Sequence, residues 1–475
     1  MDFNLWVDGK DISYGGERKE VISPLDETVI GSVELYNGKD FSSVIEKIKQ
    51  AQVEWANLTL KKRAQVVFKL HGLLEENREE LAQTIHLENG KTLTESYAAV
   101  DKAMELCEFA CSLPAVAWGN TEIVSSGIYV KEIKEPVGIV ASIVPFNFPL
   151  MVPMWTIPTT LVLGNAIIVK PSTETPLTLF KVAELLKEAG LPDGLFTLLP
   201  GNRDVVNMLI ENPRIDAITF VGSTPVAKIV YKKSGENLKR CLALGGAKNH
   251  IIVSPEVDPV VTAREICSAA YGMTGQRCMA ASVVVTVGEN KELVDEIIKN
   301  ARELKVGEEM GPVINAKSRE NIRQFLENTK GEILYNGFDS KLPEKGYYVG
   351  PSVVKYSDAK DIWEDEVFGP TIEIISADSI EEALKIQNEC DYANGATVFT
   401  DLGEVAMECE NKLIAGMIGV NIGVPVPRDP FAFGGVKWSK FGHGDITGKS
   451  SIEFLTNTKK VTTKWNHADK VDWMS

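Results

Sequence analysis

The stretch PVGIVASIVPFNFPLMVPMWTIPTTLVLGNAIIVK, residues 136–170, carries no charged side chain before its final lysine. An apolar run of this length is long enough to cross a bilayer. Five prolines interrupt it, and proline removes a backbone donor and breaks regular helices. They are Pro136, Pro145, Pro149, Pro153 and Pro158. The pattern therefore predicts a buried strand, a tight turn, a helix and another strand inside a large α/β core.

The same alternation of apolar runs and helical segments continues along the chain. A helix is expected to open at Thr175, its N-cap, and Pro176, and the strands LFTLL (195–199) and AITFVGS (217–223) follow. This order predicts a doubly wound parallel sheet. A second α/β series follows Gly246. Its strands are SVVVTVG, YYVGPSVV and GATVFT, and its helices cover residues 291–304 and 380–389. We therefore predict an α/β fold with two doubly wound domains.

Other segments flank these two series. Amphipathic surface helices are predicted over residues 40–55, with Asp40 as the cap, and over residues 62–85. The segments EIVSSGIYVKEI (122–133) and SIEFLTNTKKVTTKW (451–465) are rich in strand-forming residues and predict an exposed β element. Because an exposed strand edge can pair with another subunit, we expect a homo-oligomer, a dimer or a tetramer, with the homotetramer favoured.

The composition excludes several classes of protein. A formal net charge of −16 argues against a nucleic-acid partner, which needs clustered Lys and Arg. The seven cysteines are odd in number and scattered, which favours reduced thiols in the cytoplasm and no metal site. The N-terminus, MDFNLWVDGKDIS, lacks the basic start and apolar core of a signal peptide. We expect a cytoplasmic protein that binds a small molecule, and neither nucleic acid nor a membrane.

Three features are candidates for chemistry. Cys278, in GMTGQRCMAAS, is either a nucleophile or a small apolar core residue. Gly222 and Ser223 join a strand to a helix, as at a phosphate site or in an ordinary crossover turn. Lys170 ends a strand and is either a ligand of a ribose or phosphate or a solvated lysine. The residues alone leave these alternatives open.

Eight motifs taken together resemble one superfamily, the NAD(P)-dependent aldehyde dehydrogenases, over about residues 5 to 465. The motifs are VPFNFPL, GNAIIVKPS, AGLPDGLFTLLPG, FVGSTPV, LGGAKNH, GQRCMA, DEVFGP and AFGGVKWS. Within that superfamily the chain is most similar to methylmalonate-semialdehyde dehydrogenases. The resemblance implies a cofactor-binding domain (1–119 and 137–245), a catalytic domain (246–450) and a small β oligomerisation element (120–136 and 451–475).

The resemblance also implies roles for individual residues. Cys278 becomes the nucleophile, and the amide of Asn147 with the backbone N–H of Cys278 becomes the oxyanion site. Arg277 is expected to lower the pKa of Cys278 or steady its anion. The implied cofactor residues are Phe146, Lys170, Thr173, Gly222, Ser223, Glu366 and Phe368. Arg277, Lys102 and Phe433 are the implied substrate residues.

Two departures from the superfamily pattern bear on cofactor and acyl acceptor. Thr173 stands where relatives that prefer NAD carry a glutamate, which favours NADP, although adjacent Glu174 leaves NAD open. Ala243 or Leu244 fills the place of the glutamate that activates water, and neither can take a proton. The subgroup that lacks this acid uses coenzyme A as the acyl acceptor, so we expect coenzyme A here.

We therefore predict NAD(P)-dependent oxidation of a short anionic aldehyde, such as malonate or methylmalonate semialdehyde, through a thiohemiacetal and a thioester on Cys278. One alternative is a CoA-independent, hydrolytic, NADP-dependent enzyme acting on glyceraldehyde 3-phosphate or succinate semialdehyde. Another is a nucleotide-binding protein without turnover.

Overall fold

A computed structural model describes residues 1–362 and 365–464. The strands, in chain order, are β1 (Asp2–Phe3), β2 (Leu5–Val7), β3 (Lys10–Ile12), β4 (Arg18–Ile22), β5 (Val29–Glu34), β6 (Thr121–Ser125), β7 (Ile128–Pro136), β8 (Ile139–Ile143), β9 (Ala166–Lys170), β10 (Phe196–Leu198), β11 (Ala217–Val221), β12 (Arg240–Leu244), β13 (Asn249–Val253), β14 (Ala281–Val287), β15 (Glu332–Tyr335), β16 (Ser352–Lys355), β17 (Thr371–Ala377), β18 (Tyr392–Ala393), β19 (Gly395–Phe399), β20 (Met417–Val420), β21 (Val436–Lys437), β22 (Lys440–Phe441) and β23 (Thr456–Lys464).

The helices of the described residues are α1 (Phe41–Ala56), α2 (Leu60–Glu76), α3 (Arg78–Asn89), α4 (Leu93–Val116), α5 (Met151–Val162), α6 (Leu177–Glu188), α7 (Arg203–Glu211), α8 (Thr224–Glu236), α9 (Pro259–Tyr271), α10 (Lys291–Glu303), α11 (Ala316–Asn328), α12 (Ile380–Glu389), α13 (Gly403–Lys412) and α14 (Gly448–Leu455). Among the described parts of the chain, no helix combines the length and the apolar character that a membrane crossing requires.

The stretch at 136–170 forms the centre of an eight-stranded sheet with the order β22-β12-β11-β8-β9-β10-β2-β3. Its five central strands, from β12 to β10, are parallel. The chain runs outward from β8 to β10 and then returns to the other side of β8 to form β11 and β12. The order of the strands therefore reverses between β8 and β11, and open α/β sheets bind ligands at the carboxyl edge of such a point.

A seven-stranded sheet follows, with the order β15-β16-β17-β14-β13-β19-β20. Its strands from β16 to β20 are parallel, whereas β15 is antiparallel to β16. The prediction of two doubly wound α/β layers is confirmed. The first sheet ends at β12 and the second begins at β13, but β22 returns from residues 440–441 to pair with β12.

The expected exposed β element is an antiparallel sheet of three strands, β23-β7-β6. Residues 451–455, which we predicted as part of a strand, instead belong to α14. Ser451, Ile452 and Leu455 are buried there, and their spacing places them on one helical face. Trp465 and the remainder of the predicted element, to residue 475, lie outside the described residues.

Two predicted side-chain caps are absent and one predicted helix is divided, although α1 begins directly after Asp40 as expected. Asp40 precedes α1 in a left-handed conformation and its side chain makes no capping hydrogen bond. The pattern over residues 62–85 is divided between α2 and α3 at Asn77, whose side-chain amide donates to the carbonyl of Leu73. Thr175 does not cap α6, because that helix begins two residues later, at Leu177.

Candidate active site

Two cavities meet at Cys278. One has a volume of about 530 Å³ and lies at the carboxyl edge of the first parallel sheet. The other, of about 570 Å³, is lined by residues of α4 and α5 and by the segment 422–433. Cys278 and Phe148 line both cavities. A reactant in either cavity therefore has access to the thiol, which a cysteine sealed in the core would not allow.

The backbone of Cys278 is held by two asparagine side chains. Its carbonyl oxygen accepts a hydrogen bond from Nδ2 of Asn249 at 2.9 Å and another from Nδ2 of Asn394 at 3.0 Å. Just upstream, Met273 and Thr274 have φ angles of 52° and 58°, so the chain turns sharply between α9 and the nucleophile. Sequence analysis missed both asparagines, which lie on or beside strands of the second sheet.

Burial controls the ionisation of Cys278. Burial, together with a smaller effect of the nearby Glu366 carboxylate, raises the pKa of the thiol to about 12. The backbone N–H groups of Cys278 and Met279 lower this pKa, as does Arg277, but their effects are smaller. The expectation that Arg277 lowers the pKa is thus correct in direction, but it is outweighed by the loss of solvent.

Asn147 lies in the loop between β8 and α5 and is buried. Its Nδ2 donates to the backbone carbonyl of Gln276, two residues before the nucleophile, at 2.9 Å. An amide nitrogen carries two protons, so this contact orients Asn147 and leaves a second donor. Asn147 lines the 530 Å³ cavity together with Cys278.

The side chain of Arg277 lines the 570 Å³ cavity and is held at its tip. Its Nη2 donates to the carbonyl oxygens of Ser268 and Ala269, each at 2.8 Å. Its Nε is buried and has no hydrogen-bond partner among the described residues. Burial lowers the pKa of Arg277, and Glu95 opposes that shift. A partly buried guanidinium that keeps a donor without a partner is suited to binding an anion.

Lys102 and Phe433 line the same cavity as Arg277. Lys102, on α4, pairs with Glu105 at 2.5 Å. The ring of Phe433 packs on Trp155, with centroids 4.7 Å apart. All three predicted substrate residues therefore face one space.

The same cavity also contains Glu95, which sequence analysis missed. Glu95 accepts from the backbone N–H of Met273 at 2.6 Å and joins α4 to the nucleophile loop. The motif TLTE, in which Thr92 and Glu95 form a capping box, marks the start of α4 in the sequence and could have drawn attention to Glu95.

The seven predicted cofactor residues all line the 530 Å³ cavity. They are Phe146, Lys170, Thr173, Gly222, Ser223, Glu366 and Phe368. Phe146 and Phe368 meet edge to face with centroids 5.8 Å apart. Burial lowers the pKa of Lys170 to about 8 and raises the pKa of Glu366 to about 8. The backbone N–H of Ala247 donates to the Glu366 carboxylate.

The cavity fits a dinucleotide. Ser223 precedes α8 but makes no side-chain cap, so the first N–H groups of that helix remain available to a phosphate. A Cβ at Gly222 would lie 2.6 Å from the ring of Phe220, so a side chain there would clash. The partly buried side chain of Lys170 forms no ion pair among the described residues, so its ammonium can bind an oxygen ligand.

The comparison with protein-family models decides the classification, since the model of the aldehyde dehydrogenase family matches residues 10–461. The chain belongs to the aldehyde dehydrogenase family. It is 39% identical over 473 residues to malonate-semialdehyde dehydrogenase 2 of Geobacillus kaustophilus, covering 97% of each chain. It is 37% identical over 476 residues to malonate-semialdehyde dehydrogenase of Halalkalibacterium halodurans, covering 97% of this chain and 96% of the relative.

Two solved structures share the fold of this aldehyde dehydrogenase over nearly its whole length. One is a Sinorhizobium meliloti protein assigned as a methylmalonate-semialdehyde dehydrogenase, in complex with NAD, with TM-score 0.96, 35% identity and 99% of each chain covered. The other is methylmalonate-semialdehyde dehydrogenase of Oceanimonas doudoroffii, with TM-score 0.96, 33% identity and coverage of 98% and 99%. The predicted family and fold are confirmed, and the protein is an oxidoreductase that acts on aldehydes.

In this aldehyde dehydrogenase, the predicted place of the water-activating acid lies at the end of β12. Ala243 and Leu244 are buried there, and neither side chain has a group that accepts a proton. Among the described residues, the carboxylate that affects the ionisation of Cys278 is Glu366, which raises the pKa of the thiol. No pattern in the sequence predicted this pairing, because 88 positions separate the two residues.

Another residue that sequence analysis missed lies behind the lining of the cofactor cavity, in contact with Thr173. Lys19, on β4, donates to Oγ1 of Thr173 at 3.0 Å and pairs with Oε1 of Glu174 at 2.5 Å. Thr173 lines the cavity of this aldehyde dehydrogenase, whereas Glu174 is absent from the lining.

Proposed function

We propose that this enzyme oxidises a short aldehyde that carries a carboxylate, such as malonate or methylmalonate semialdehyde, and transfers the acyl group to coenzyme A. The partly buried side chain of Arg277, whose buried Nε has no partner among the described residues and which lines the same cavity as the nucleophile, carries the proposal. The names of the curated and solved relatives support the same substrates. Lys102 adds a second positive charge to the cavity.

In the proposed mechanism, the Cys278 thiolate attacks the aldehyde carbon while Arg277 binds the substrate carboxylate. The oxygen of the resulting thiohemiacetal accepts hydrogen bonds from the second N–H of Asn147 and from the backbone of Cys278. NAD(P)⁺, which Lys170, Ser223 and Glu366 would help to hold in the 530 Å³ cavity, would supply the acceptor for the hydride that leaves the thiohemiacetal carbon. Collapse of the thiohemiacetal then leaves an acyl thioester on Cys278.

Coenzyme A is the proposed acyl acceptor because Ala243 and Leu244 cannot activate water. A thiolate brings its own nucleophilicity, so acyl transfer to a thiol depends less on a local base than hydrolysis does. We also propose NADP as the preferred cofactor, with NAD as the alternative. Thr173 places a hydroxyl in the cavity, and Lys19 holds the Glu174 carboxylate outside its lining. The NAD complex of the Sinorhizobium protein supports the alternative, NAD.

We further propose that the enzyme is a cytoplasmic homo-oligomer, a dimer or a tetramer, with the homotetramer favoured. The seven cysteines, all with free thiols, support a reducing compartment. The exposed sheet β23-β7-β6 supports subunit contacts.

The test is a spectrophotometric assay of reduced cofactor with malonate semialdehyde, glyceraldehyde 3-phosphate and neutral propanal, each with and without coenzyme A. We expect malonate semialdehyde with coenzyme A to give the highest kcat/KM. The variant Arg277→Met should lower that value at least tenfold while changing propanal oxidation little, because only the semialdehyde needs the guanidinium.

The variant Cys278→Ala controls for the mechanism and should form no reduced cofactor with any aldehyde. Full turnover without coenzyme A would show that the enzyme hydrolyses the thioester, and it would contradict acyl transfer to coenzyme A. Preference for propanal over the anionic aldehydes would contradict the proposed substrate class, and binding of dinucleotide without any turnover would contradict the assignment as a dehydrogenase of these aldehydes.

A further inference from the structure

A lysine from the N-terminal region contacts Thr173, which lines the cofactor cavity beside Lys170, although Lys19 itself is not part of the lining. Lys19 lies on β4, and 154 positions separate it from Thr173 in the sequence. Its Nζ donates to Oγ1 of Thr173 at 3.0 Å and lies 2.5 Å from Oε1 of Glu174. An ammonium has three protons, so these contacts leave one donor of Lys19 free.

The contact with Lys19 also sets the direction of the Thr173 hydroxyl. Since Oγ1 accepts from the ammonium, its own proton is free to point elsewhere, and Thr173 lines the cavity. The neighbouring Glu174 does not line it. The threonine is therefore presented to a ligand as a hydrogen-bond donor, while the carboxylate is retained on the side of Lys19.

The charges of Lys19, Lys170 and Glu174, which lie around Thr173, favour the binding of an anion. Lys170 is partly buried, and Lys19 lies close enough that its charge adds to the effect of burial in lowering the pKa of Lys170. Among the described residues, Lys19 forms an ion pair with Glu174, whereas Lys170 forms none. These two lysines and one carboxylate give the region around Thr173 an excess of positive charge at neutral pH.

We propose that Lys19, together with Thr173, binds the 2′-phosphate of NADP, and that Glu174 is an internal carboxylate which this phosphate displaces from the ammonium. The inference rests on the cofactor preference proposed above and names the residues that produce it. It predicts opposite effects for the two members of one ion pair. Loss of Lys19 removes the partner of the phosphate, whereas loss of the Glu174 charge releases that partner.

The experiment uses two fragments of the cofactors, 2′,5′-ADP and 5′-AMP, which differ in the 2′-phosphate alone. Their Kd values are measured by isothermal titration calorimetry on the full-length enzyme, so no turnover is required. We expect Lys19→Met to weaken 2′,5′-ADP about tenfold, the size of effect typical of one charged hydrogen bond, and to leave 5′-AMP within about twofold. We expect Glu174→Gln to strengthen 2′,5′-ADP about threefold and to leave 5′-AMP unchanged.

The variant Lys47→Met is the matched control, because Lys47 also forms an ion pair, but its partner Asp8 does not line the cavity, whereas Lys19 bonds to Thr173 of the lining. It should bind both fragments as the wild type does. If Lys19→Met and Glu174→Gln weaken both fragments alike, the ion pair only holds the loop and the inference is overturned. If the wild type binds 2′,5′-ADP no better than 5′-AMP, the preference for NADP fails as well. A wild-type preference that Lys19→Met retains overturns the role of Lys19 alone.

Discussion

At the scale of single residues, Cys278 shows how solvent exclusion and charge compete. The sequence places an arginine directly before the cysteine, which predicts an activated thiol. The structure adds burial and the Glu366 carboxylate, and both raise the pKa of the thiol. Neighbouring charge is visible in a sequence, whereas burial depends on every element that packs around the site. The cysteine of the ligand-free enzyme is therefore largely protonated at neutral pH.

This electrostatic arrangement predicts how fast iodoacetamide alkylates Cys278 at different pH values. The rate should rise about tenfold per pH unit below pH 8, because it follows the small thiolate fraction. Above pH 8 the rise should become shallower in the wild type, since the pKa of Glu366 is about 8 and its ionisation raises the pKa of Cys278 further. In Glu366→Gln the tenfold slope should continue through pH 9.

The measurement is mass spectrometry of the alkylated enzyme over time without cofactor. The variant Cys278→Ala gives the background from the six other cysteines. A rate in the wild type that does not change between pH 6 and pH 8 would show that the thiol is already ionised, contrary to the burial argument.

At the scale of elements, the beginning of α6 shows why local sequence can mispredict a helix start. Thr175 followed by Pro176 is a typical N-terminal pattern, yet the helix begins at Leu177. Its free amides are satisfied by Glu88 at the end of α3, which accepts from the backbone N–H of Leu177 at 2.7 Å and of Thr178 at 3.1 Å. A cap supplied by a distant helix leaves no signal in the sequence beside the helix that it caps.

We predict that Glu88→Ala lowers the free energy of unfolding by about 2–3 kcal/mol, since it leaves buried amides without an acceptor. Glu88→Gln should cost less, because it keeps one acceptor. Burial raises the pKa of Glu88 to about 7 from 4.5, so the wild type loses stability from this group as pH rises from 4.5 to 7. The glutamine variant should lack that pH dependence. Urea unfolding followed by circular dichroism measures both effects.

The exposed Glu75, near the end of α2, provides the control, and Glu75→Ala should change the free energy of unfolding by less than about 0.5 kcal/mol. Equal stability of Glu88→Ala and the wild type would show that water or another group replaces the cap.

At the scale of the whole molecule, the alternation of strands and helices was sufficient to predict both parallel sheets, because buried parallel strands read as continuous apolar runs. The resemblance placed the predicted cofactor and substrate residues, and the structure gathers them around the two cavities. Lys19, Glu95 and Asn394 were missed because their contacts join elements far apart in the chain. Such contacts depend on how the layers pack, which hydrophobic periodicity does not encode.

The three-stranded sheet β23-β7-β6 exposes apolar side chains, so it is a candidate contact surface between subunits. Ile123 pairs directly with Tyr129, and Ile133 lies on the same face of β7, so the three form an apolar stripe that Lys131 interrupts. Ile123 is 61% exposed, Tyr129 43% and Ile133 37%. A stripe of this kind beside a free strand edge favours association with a second copy of the chain.

We predict that Ile123→Glu shifts the enzyme to a smaller oligomer in sedimentation velocity at micromolar concentration, because a charge in the stripe would be buried without a partner in the interface. The variant Met407→Glu places the same charge at a residue of α13 that is 62% exposed, and should leave the oligomer unchanged. Circular dichroism spectra that match the wild type would show that Ile123→Glu acts on association and not on folding. If both variants sediment as the wild type does, this stripe does not form the subunit contact, and the exposed sheet needs another explanation.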